Sequence, residues 1–453
     1  MDKIVLLPMI ITSYLISKKE LIIVFTYFFI PVLIFFPTYY DTKIVQGIPE
    51  FNFYTATLFP IIIVLLVNMK DYKFNFRFMD FLVLLLVFFI FFSQWYNSDY
   101  KIAQKLLFNE LMAKFFGYFA IRVFFIKEDS RYTILKVILI CAAIEGFWNT
   151  IEFRLWYNVF DDSIRRIWPF RVPWDLPMMR GGFKRAFGSF GHPIIAGYFF
   201  AMVFPLSIYF HFNPKLGKSN KTLIIAFLTI MGCISSVSRA PIAGLVLCAV
   251  FLWYGWSNKK ILVITIISIV LIIGGIIYLP KIIAYVSVDR LSAETEDQRN
   301  AAYRKELLDN YLDIVDQKPL MGWGRFTVPW LDDQISIDNE YLFLALTHGK
   351  IAVFLYLFTV LFVLIRLGIF VFKKDVPEDT KRISWAFINA LFSALFIQTT
   401  VWNGFQIVPI LFMYLGMGEN LMMIHEEKLD ESNEEKFFKK EEVNYENNLP
   451  RTI

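Results

Sequence analysis

The sequence predicts an all-α membrane protein with about twelve transmembrane helices, and its composition and the lengths of its apolar runs lead to that prediction. Hydrophobic residues make up 57% of the 453 residues and charged residues only 19%. An ordinary soluble domain has about 25% charged residues, and a soluble fold of this size could not bury so much apolar surface. The same composition excludes a disordered chain and a collagen-like fibre.

The apolar runs predict the helices one by one. About 20 apolar residues are needed for a helix to cross the hydrocarbon core, and twelve runs approach or reach that length. They lie near residues 21–37, 54–69, 78–96, 106–126, 132–151, 193–212, 221–237, 240–256, 260–279, 341–372, 383–402 and 405–424. The N-terminal segment 1–20 carries a shorter apolar stretch without a signal-peptide cleavage site, so we expect it to stay uncleaved.

Lysine-rich loops orient these spans in the membrane. Counted along the chain, Lys18–Lys19, Lys259–Lys260 and Lys373–Lys374 all fall on the same side. Positive charge accumulates in cytoplasmic loops, so we expect that side to be cytoplasmic. The charged tail, residues 425–453, falls on this side too and is expected to be disordered.

Two long segments fall on the opposite, extracytoplasmic face. Residues 152–192 interrupt the transmembrane region 21–279, and residues 280–340 form a large loop between the ninth and tenth main spans. The C-terminal spans follow within 341–424. Because the mass outside the membrane lies on this face, we expect the function to be carried out there.

The large loop 280–340 predicts an amphipathic helix over about 295–316. Thr295 and Gln298 fit a capping box at its start, and Pro319 closes it. The predicted apolar face consists of Ala301, Leu308, Tyr311, Leu312 and Val315.

Polar motifs on this face contain the candidate functional residues. They are the glycine-rich stretch Arg185–Pro193 with His192, the hairpin Ser238-Arg239, the arginines Arg290, Arg299 and Arg304 around the amphipathic helix, and Asp338-Asn339 before the tenth span. Each has an ordinary structural explanation as well: a loop that closes onto a helix, an arginine that reaches the lipid headgroups, solvated surface arginines, and a helix N-cap.

Together the motifs place several guanidinium groups and one carboxylate at the outer leaflet. Guanidinium groups bind phosphate oxygens bidentately, which indicates a membrane-embedded phosphate or diphosphate as ligand. A nearby carboxylate could accept a proton from an attacking hydroxyl. The three cysteines are dispersed in apolar runs, and no metal-ligand spacing, P-loop or nucleic-acid signature is visible.

The order of these motifs resembles the O-antigen ligase and O-antigen polymerase superfamily. The resemblance rests on Phe187-Gly-Ser-Phe-Gly-His-Pro193, Ser238-Arg239, the Arg299 helix that leads into Pro319-Leu-Met-Gly-Trp-Gly324, and Asp338-Asn339-Glu-Tyr-Leu342 followed by Gly349. It covers most of the chain, since the twelve spans and the large loop before the tenth also match.

The resemblance implies a metal-independent glycosyltransferase of the bacterial cytoplasmic membrane without a cofactor. Such enzymes transfer a glycan from undecaprenyl diphosphate to a hydroxyl of a glycan, lipid or protein acceptor at the outer face. By match of position, Arg239 and Arg299 would clamp the diphosphate, and Arg185, Arg290, His192 and Asn339 would be further substrate-binding residues.

The sequence departs from the family at Asp338. Many members, above all the ligases, carry His-Asn where this chain has Asp338-Asn339, and that histidine is the proposed general base. An unperturbed Asp, with a pKa of about 3.9, is a weak base, so Asp338 would either act as base in a perturbed environment or only orient the acceptor. His348 lies nearly three helical turns further on and is a poor substitute. This departure favours a polymerase or exopolysaccharide enzyme over a ligase.

The alternative is a flippase or another transporter of lipid-linked oligosaccharides. A transporter should line a path near the bilayer midplane with polar residues. The spans contain only scattered examples, Glu145, Asn149, Asn389 and Gln398, whereas the charges gather at the outer rim.

Overall fold

A computed structural model describes residues 2–43, 49–72, 74–167, 178–213, 219–286, 288, 290–332, 334, 336–404 and 406–447. Residues 168–177 of the first predicted extracytoplasmic segment and residues 448–453 of the tail lie outside the described residues.

The described residues are mostly helical. Their α-helices, α1 to α17 in chain order, are Leu7–Ile16, Leu21–Val24, Ile30–Phe35, Phe53–Val67, Phe78–Asn97, Tyr100–Glu110, Gly117–Phe124, Glu128–Leu155, Val159–Ile167, Pro193–Phe212, Asn220–Ser235, Arg239–Trp256, Lys260–Val286, Glu296–Gln317, Glu340–Val371, Glu378–Gln398 and Ile407–Asn447. Short 3₁₀ turns lie at Asp2–Leu6 and Met69–Asp71. Two π-helical turns, Phe25–Phe29 and Leu111–Phe116, join α2 to α3 and α6 to α7.

The strands among these residues are short and form two antiparallel pairs. Strand β1, Asp41–Lys43, pairs with β2, Glu50–Asn52, and β3, Met179–Arg180, pairs with β4, Phe183–Lys184. The second pair is a tight hairpin inside the first predicted extracytoplasmic segment, and it positions Arg180.

Seven helices of the described chain are long and apolar enough to cross a membrane. They are Phe78–Asn97, Glu128–Leu155, Pro193–Phe212, Arg239–Trp256, Lys260–Ile277, Glu340–Val371 and Ile407–Glu427. Shorter apolar helices at Lys3–Ile16, Leu21–Phe35, Phe53–Val67 and Asn220–Ser235 accompany them. The chain therefore has the expected helical, membrane-type fold, while the number of twelve spans stays a prediction.

Helix α10 lies at the centre of the bundle, with nearly all of its side chains buried. It packs against α8, α11, α12 and α16. At Gly197 the backbone of α10 comes so close to the turn before α12 that an added Cβ would lie 2.6 Å from Ser236 Oγ and 2.8 Å from Pro241 Cβ. This close approach fixes the turn that carries Arg239 against the core of the bundle.

The helix bundle has two ends, which are defined here by the helices that begin or finish at each. At one end, called here the site end, α8 and α11 finish and α10, α12 and α15 begin. At the other, the far end, Tyr132 and Tyr209 both donate hydrogen bonds to Asp379, across 2.8 and 3.2 Å to Oδ2. Arg122 also lies at the far end. It is buried, and its Nη2 lies 3.4 Å from Asp80 Oδ2.

The amphipathic helix of the large loop is α14, and it packs on the first turns of α15. Thr295 Oγ1 accepts the N–H of Gln298 across 3.2 Å and caps the helix. Tyr311 and Val315 of the predicted apolar face are buried, as are Leu307 and Ile337, against the start of α15. Leu308 and Leu312 of the predicted face are 40% and 48% exposed, because the surface of α14 that docks on α15 is rotated relative to that face.

The last helix, α17, runs to Asn447. Its first half is a buried apolar span, and its second half extends into the tail for which the sequence predicted disorder. The structure is therefore helical in residues 425–447 of that tail.

Candidate functional site

The glycine-rich stretch is held at the site end by two buried carboxylates of α8. Glu152 Oε2 accepts the backbone N–H groups of Phe187 and Gly188 across 3.2 and 2.9 Å, and Glu145 Oε1 accepts that of Ser189 across 2.8 Å. Backbone donors bind one oxygen of each carboxylate, so the loop is held against α8.

The glycine-rich loop also holds the turn that precedes α12. Ala186 donates its backbone N–H to Ser235 O across 3.0 Å. The buried guanidinium of Arg185 donates to Ser236 O across 3.4 Å and to Ser238 Oγ across 3.0 Å. At the centre of the turn Val237 has a φ of +45°, a strained conformation for a β-branched residue. Arg185, predicted to bind substrate, thus holds the turn in place.

Arg239 follows this turn and lines a small cavity, called here the arginine cavity. The lining includes Arg180 from β3, Arg239 from the first turn of α12, and Asn300, Ala301 and Arg304 from α14. Its volume is about 60 Å³, several times the roughly 10–15 Å³ that one water molecule needs. Arginines from three separate elements thus line a space large enough for a phosphate group, and Arg180 Nη1 also donates to Val237 O across 3.3 Å.

The other two predicted arginines of the large loop lie elsewhere. Arg299 is exposed and does not line the arginine cavity, although its neighbour Asn300 does. Arg290 lies over the ring of Tyr303, 5.2 Å from the ring centroid, and 3.9 Å from Glu306 Oε2. Arg304, in contrast, lines the arginine cavity together with Ala301, which lies three residues earlier on the same face of α14.

His192 caps the N-terminus of α10. Its Nδ1 accepts the backbone N–H of Ile194 across 3.3 Å. Burial, together with the positive charges of Arg185 and Arg180, lowers the pKa of His192 to about 3. A neutral imidazole is required of an acceptor at a helix N-cap, and so this histidine has a structural role beside the arginines.

At the start of α15, three consecutive polar residues have different surroundings. Asn339 is the N-cap, and its Oδ1 accepts the N–H of Leu342 across 3.1 Å. Asp338 is half-buried, and its Oδ1 accepts the hydroxyl of Ser336 across 3.1 Å. Glu340, in the first turn, is 6% exposed and points into a second, larger cavity.

This second cavity, called here the α15 cavity, has a volume of about 270 Å³. Its charged lining residues include Glu110, Lys114, Arg325 and Glu340, together with His348; its aromatic lining residues include Tyr39, Tyr54, Phe343, Tyr356 and Trp402. Glu340 and His348 are eight residues apart on one helix and face the same space. Asp338 is not among the lining residues.

The motif Pro319–Gly324 packs against a break in α15. Gly349 has a φ of +83° and lies so close to Leu320 O that no Cβ could be accommodated. Trp323 and Gly324 donate backbone N–H groups to Leu346 O and Thr347 O, both across 2.8 Å. Ser93 Oγ lies 3.0 Å from His348 Nδ1. The loop and the break together fix His348 in the wall of the α15 cavity.

The two cavities are neighbours along one short segment. Thr400 lines the arginine cavity, whereas Trp402, Asn403 and Gly404 line the α15 cavity. Three peptide units allow at most about 11 Å between the Cα atoms of Thr400 and Asn403. The site end thus carries two adjoining polar spaces.

Part of the chain matches a known protein family. Residues 224–357 match the family described as O-antigen ligase. The predicted resemblance is confirmed over these residues, and its extent over most of the chain stays a prediction. No curated protein sequence matches the chain.

The stretch that matches the O-antigen ligase family contributes residues to both cavities. It contains Arg239 and Arg304 of the arginine cavity and Arg325, Glu340 and His348 of the α15 cavity. Arg180, Glu110 and Lys114 lie outside it. With its apolar helices and this family match, the chain is an integral membrane protein.

Sequence reasoning missed most of the α15 cavity. Glu110 and Lys114 form an ion pair one helical turn apart, with side chains only 12% and 11% exposed. Their spacing of four residues inside a predicted span was the available signal. Glu340 was visible within the motif that begins at Asp338, but its direction depends on how α15 packs.

Proposed function

We propose that the protein is a membrane glycosyltransferase of surface polysaccharide synthesis. It transfers a glycan from undecaprenyl diphosphate to an acceptor hydroxyl at the outer face of the bacterial cytoplasmic membrane. The observation that carries this proposal is the convergence of Arg180, Arg239 and Arg304 on one cavity at the site end. The family match over residues 224–357 supports a ligase- or polymerase-type transferase.

The arginine cavity suits a lipid diphosphate. A diphosphate carries several negative charges, and guanidinium groups match its oxygens in pairs. When the bond between the sugar and the diphosphate breaks, negative charge builds up on the leaving diphosphate. Fixed positive charges at that position stabilise the transition state more than the ground state. The donor already stores the energy for transfer, so neither a nucleotide nor a metal is required.

The clamp in this proposal consists of Arg239, Arg304 and Arg180. Arg299, which the sequence favoured, is exposed on another side of α14. Arg185 acts one step away, by holding the turn that precedes Arg239.

A polymerase is preferred to a ligase. The preference rests on the departure at Asp338, where ligases of the family often have a histidine. The acceptor is then the growing or incoming glycan repeat unit, itself attached to the membrane lipid.

The test uses purified protein in liposomes with a single lipid-diphosphate-linked repeat unit, and mass spectrometry of the products. Lengthening of the chain without another acceptor identifies a polymerase; product that forms only after addition of a separate acceptor identifies a ligase. Arg239→Ala should lower the rate at least about 100-fold, because it removes a charge opposite the leaving group. Lys305→Ala, an exposed residue of α14, is the matched control. Full activity of Arg239→Ala would contradict the clamp.

The transporter alternative gains no support from Glu145 and Gln398, two of the polar residues inside the helices. Glu145 accepts the backbone of Ser189, and Gln398 donates to Tyr198 OH across 2.7 Å and accepts from Tyr356 OH across 2.9 Å. These residues have structural partners of their own. In the liposome assay, a flippase would move the lipid-linked unit between leaflets and leave its mass unchanged.

A further inference from the structure

The α15 cavity holds charges that the diphosphate clamp does not use. Glu110 and Lys114 pair within α6 and the following π turn, and both are nearly buried. Glu340 is buried as well. Its carboxyl group interacts electrostatically with the charges of Lys114, Glu110 and Arg325. Burying a charge in a membrane protein is costly even when it is paired, and such residues usually mark a functional path or site.

The lining of the α15 cavity suits a sugar. A sugar hydroxyl both donates and accepts hydrogen bonds, and the lining offers carboxylate and amide acceptors beside cationic donors. Among the described residues, Asn403 Oδ1 is a buried acceptor without a hydrogen-bond partner. Tyr356 and Trp402 add flat apolar faces. The volume of about 270 Å³ is just below the range of about 300–1,000 Å³ typical of drug-sized ligands, which suits a small unit such as one sugar residue.

We infer that the α15 cavity is the binding site for the acceptor sugar and that Glu340 is the general base that takes the proton from its attacking hydroxyl. This inference rests on the proposed function, because it gives the acceptor half of the same transfer a site. It also replaces the base that the sequence suggested, Asp338.

The surroundings of Glu340 support this role. Asn403 donates its backbone N–H to Glu340 Oε2 across 2.5 Å and orients the carboxylate. Among the described residues, no other hydrogen bond to this carboxylate is found, so Oε1 is available to a ligand. Asp338, in contrast, lies outside the cavity lining and accepts a hydrogen bond from Ser336.

His348 shares the cavity with Glu340 but is held differently. Its Nδ1 faces the Ser93 hydroxyl, and its ring is locked by the break in α15. It therefore serves as a fixed part of the wall and positions the sugar. A general base must lie within hydrogen-bond reach of the proton or one water away from it, and the first turn of α15, which carries Glu340, lies next to the segment that joins the two cavities.

The reaction balances without another reactant. The acceptor oxygen forms a bond with the anomeric carbon of the donor sugar, and its proton passes to the Glu340 carboxylate. The bond between the anomeric carbon and the diphosphate oxygen breaks, and its electron pair leaves with the lipid diphosphate at the arginine cavity. Glu340 then releases the proton to water. The short segment from Thr400 to Asn403 keeps the two half-sites within reach of each other.

The kinetic test compares Glu340→Gln with Asp338→Asn in liposomes that hold the lipid-linked repeat unit. Glu340→Gln should lower kcat by about 100- to 10,000-fold, the usual contribution of a general base, with the KM for donor changed less than about 3-fold. Glu378→Gln, an exposed residue of the far end, is the matched control. A kcat of Glu340→Gln within about 3-fold of the parent, or a large loss in Asp338→Asn alone, would overturn the role of Glu340.

A second measurement does not depend on turnover. Asn109 lines the cavity and is exposed, while the native Cys141, Cys233 and Cys248 are buried. Asn109→Cys should react with a water-soluble maleimide, and the free repeat-unit oligosaccharide without its lipid should slow this reaction several-fold. Lys127→Cys at the far end is the control that the oligosaccharide should not protect. Protection that persists in Asn109→Cys/Glu340→Gln shows that this variant is folded.

The two measurements separate the two proposals. Protection of Asn109→Cys without any glycan transfer by the parent protein would keep the sugar site and remove the proposed function. Transfer by the parent together with an unprotected Asn109→Cys and an active Glu340→Gln would keep the function and overturn the inference. Absence of both transfer and protection would overturn both.

Discussion

Arg185 Nη2 donates a hydrogen bond to Ser238 Oγ across 3.0 Å, and Arg239 is the next residue along the chain. One buried arginine thus holds the turn from which another arginine reaches the cavity. The two guanidinium groups differ in their surroundings, since Arg185 is 9% exposed and Arg239 is exposed. Their substitutions should therefore have different effects.

Arg185→Ala should lower the free energy of unfolding by about 1–3 kcal/mol, because Ser236 O and Ser238 Oγ lose a buried donor. Arg239→Ala should change it by less than about 0.5 kcal/mol, as is usual for an exposed residue, while it lowers activity. Thermal unfolding in detergent and the liposome assay measure the two quantities. Equal destabilisation by both substitutions would argue against a structural role for Arg185.

Arg304 and Arg299 test which face of α14 contacts the donor. Arg304→Ala should lower the transfer rate at least about 100-fold, since it removes one of three charges around the leaving group. Arg299→Ala should lower it less than about 5-fold, as expected for an exposed charge that acts through solvent. Initial rates at fixed ionic strength decide between them. A larger loss for Arg299→Ala would restore the assignment that the sequence favoured.

Gly349→Ala should destabilise the protein strongly. An alanine would have to adopt a φ of +83° and would place its Cβ against Leu320 O, and such strain costs about 1–3 kcal/mol before the overlap is counted. Gly368 lies in the same helix with open space around it, so Gly368→Ala should be neutral or should stabilise α15 by up to about 1 kcal/mol. Melting temperatures of the two variants provide the comparison. An unchanged melting temperature for Gly349→Ala would mean that the break in α15 is dispensable.

His192 predicts how stability responds to acid. Its pKa is about 3 in the folded protein and about 6.5 in an unfolded chain, so the unfolded state binds more protons below pH 6.5. Stability should therefore fall as the pH is lowered from about 6.5 towards 3. Asn also caps helices well and does not titrate. His192→Asn should flatten this part of the curve of melting temperature against pH, and a curve parallel to that of the parent would contradict the assignment.

The sequence was sufficient for features that depend on neighbouring residues. Apolar runs predicted the positions of the seven helices that are long and apolar enough to cross a membrane, because a helix that crosses a bilayer must satisfy its own backbone. Thr295 and Gln298 predicted the start of α14 to within a residue. These signals are local, and tertiary packing does not alter them.

The sites depend on packing, which a single sequence does not encode visibly. The sequence brought Arg239 and α14 to the same membrane face, but only docking on α15 decides that Arg304 rather than Arg299 lines the cavity. Similarly, Glu110 and Glu340 are far apart in the chain, yet both line the α15 cavity. His348 lies far from Asp338 along α15. It nevertheless lines the same cavity as Glu340.

The composition of the arginine cavity has a consequence for exchanging parts between relatives. Arg239 and Arg304 lie inside the matched stretch 224–357, whereas Arg180 comes from a hairpin that precedes it. A chimera that received only this stretch from another protein matching the same family model would combine imported residues at positions 239 and 304 with the resident Arg180. Under the proposed function, donor recognition would then be a property of two separately encoded pieces, and transplanting it would require the hairpin of Met179–Lys184 as well as the larger piece.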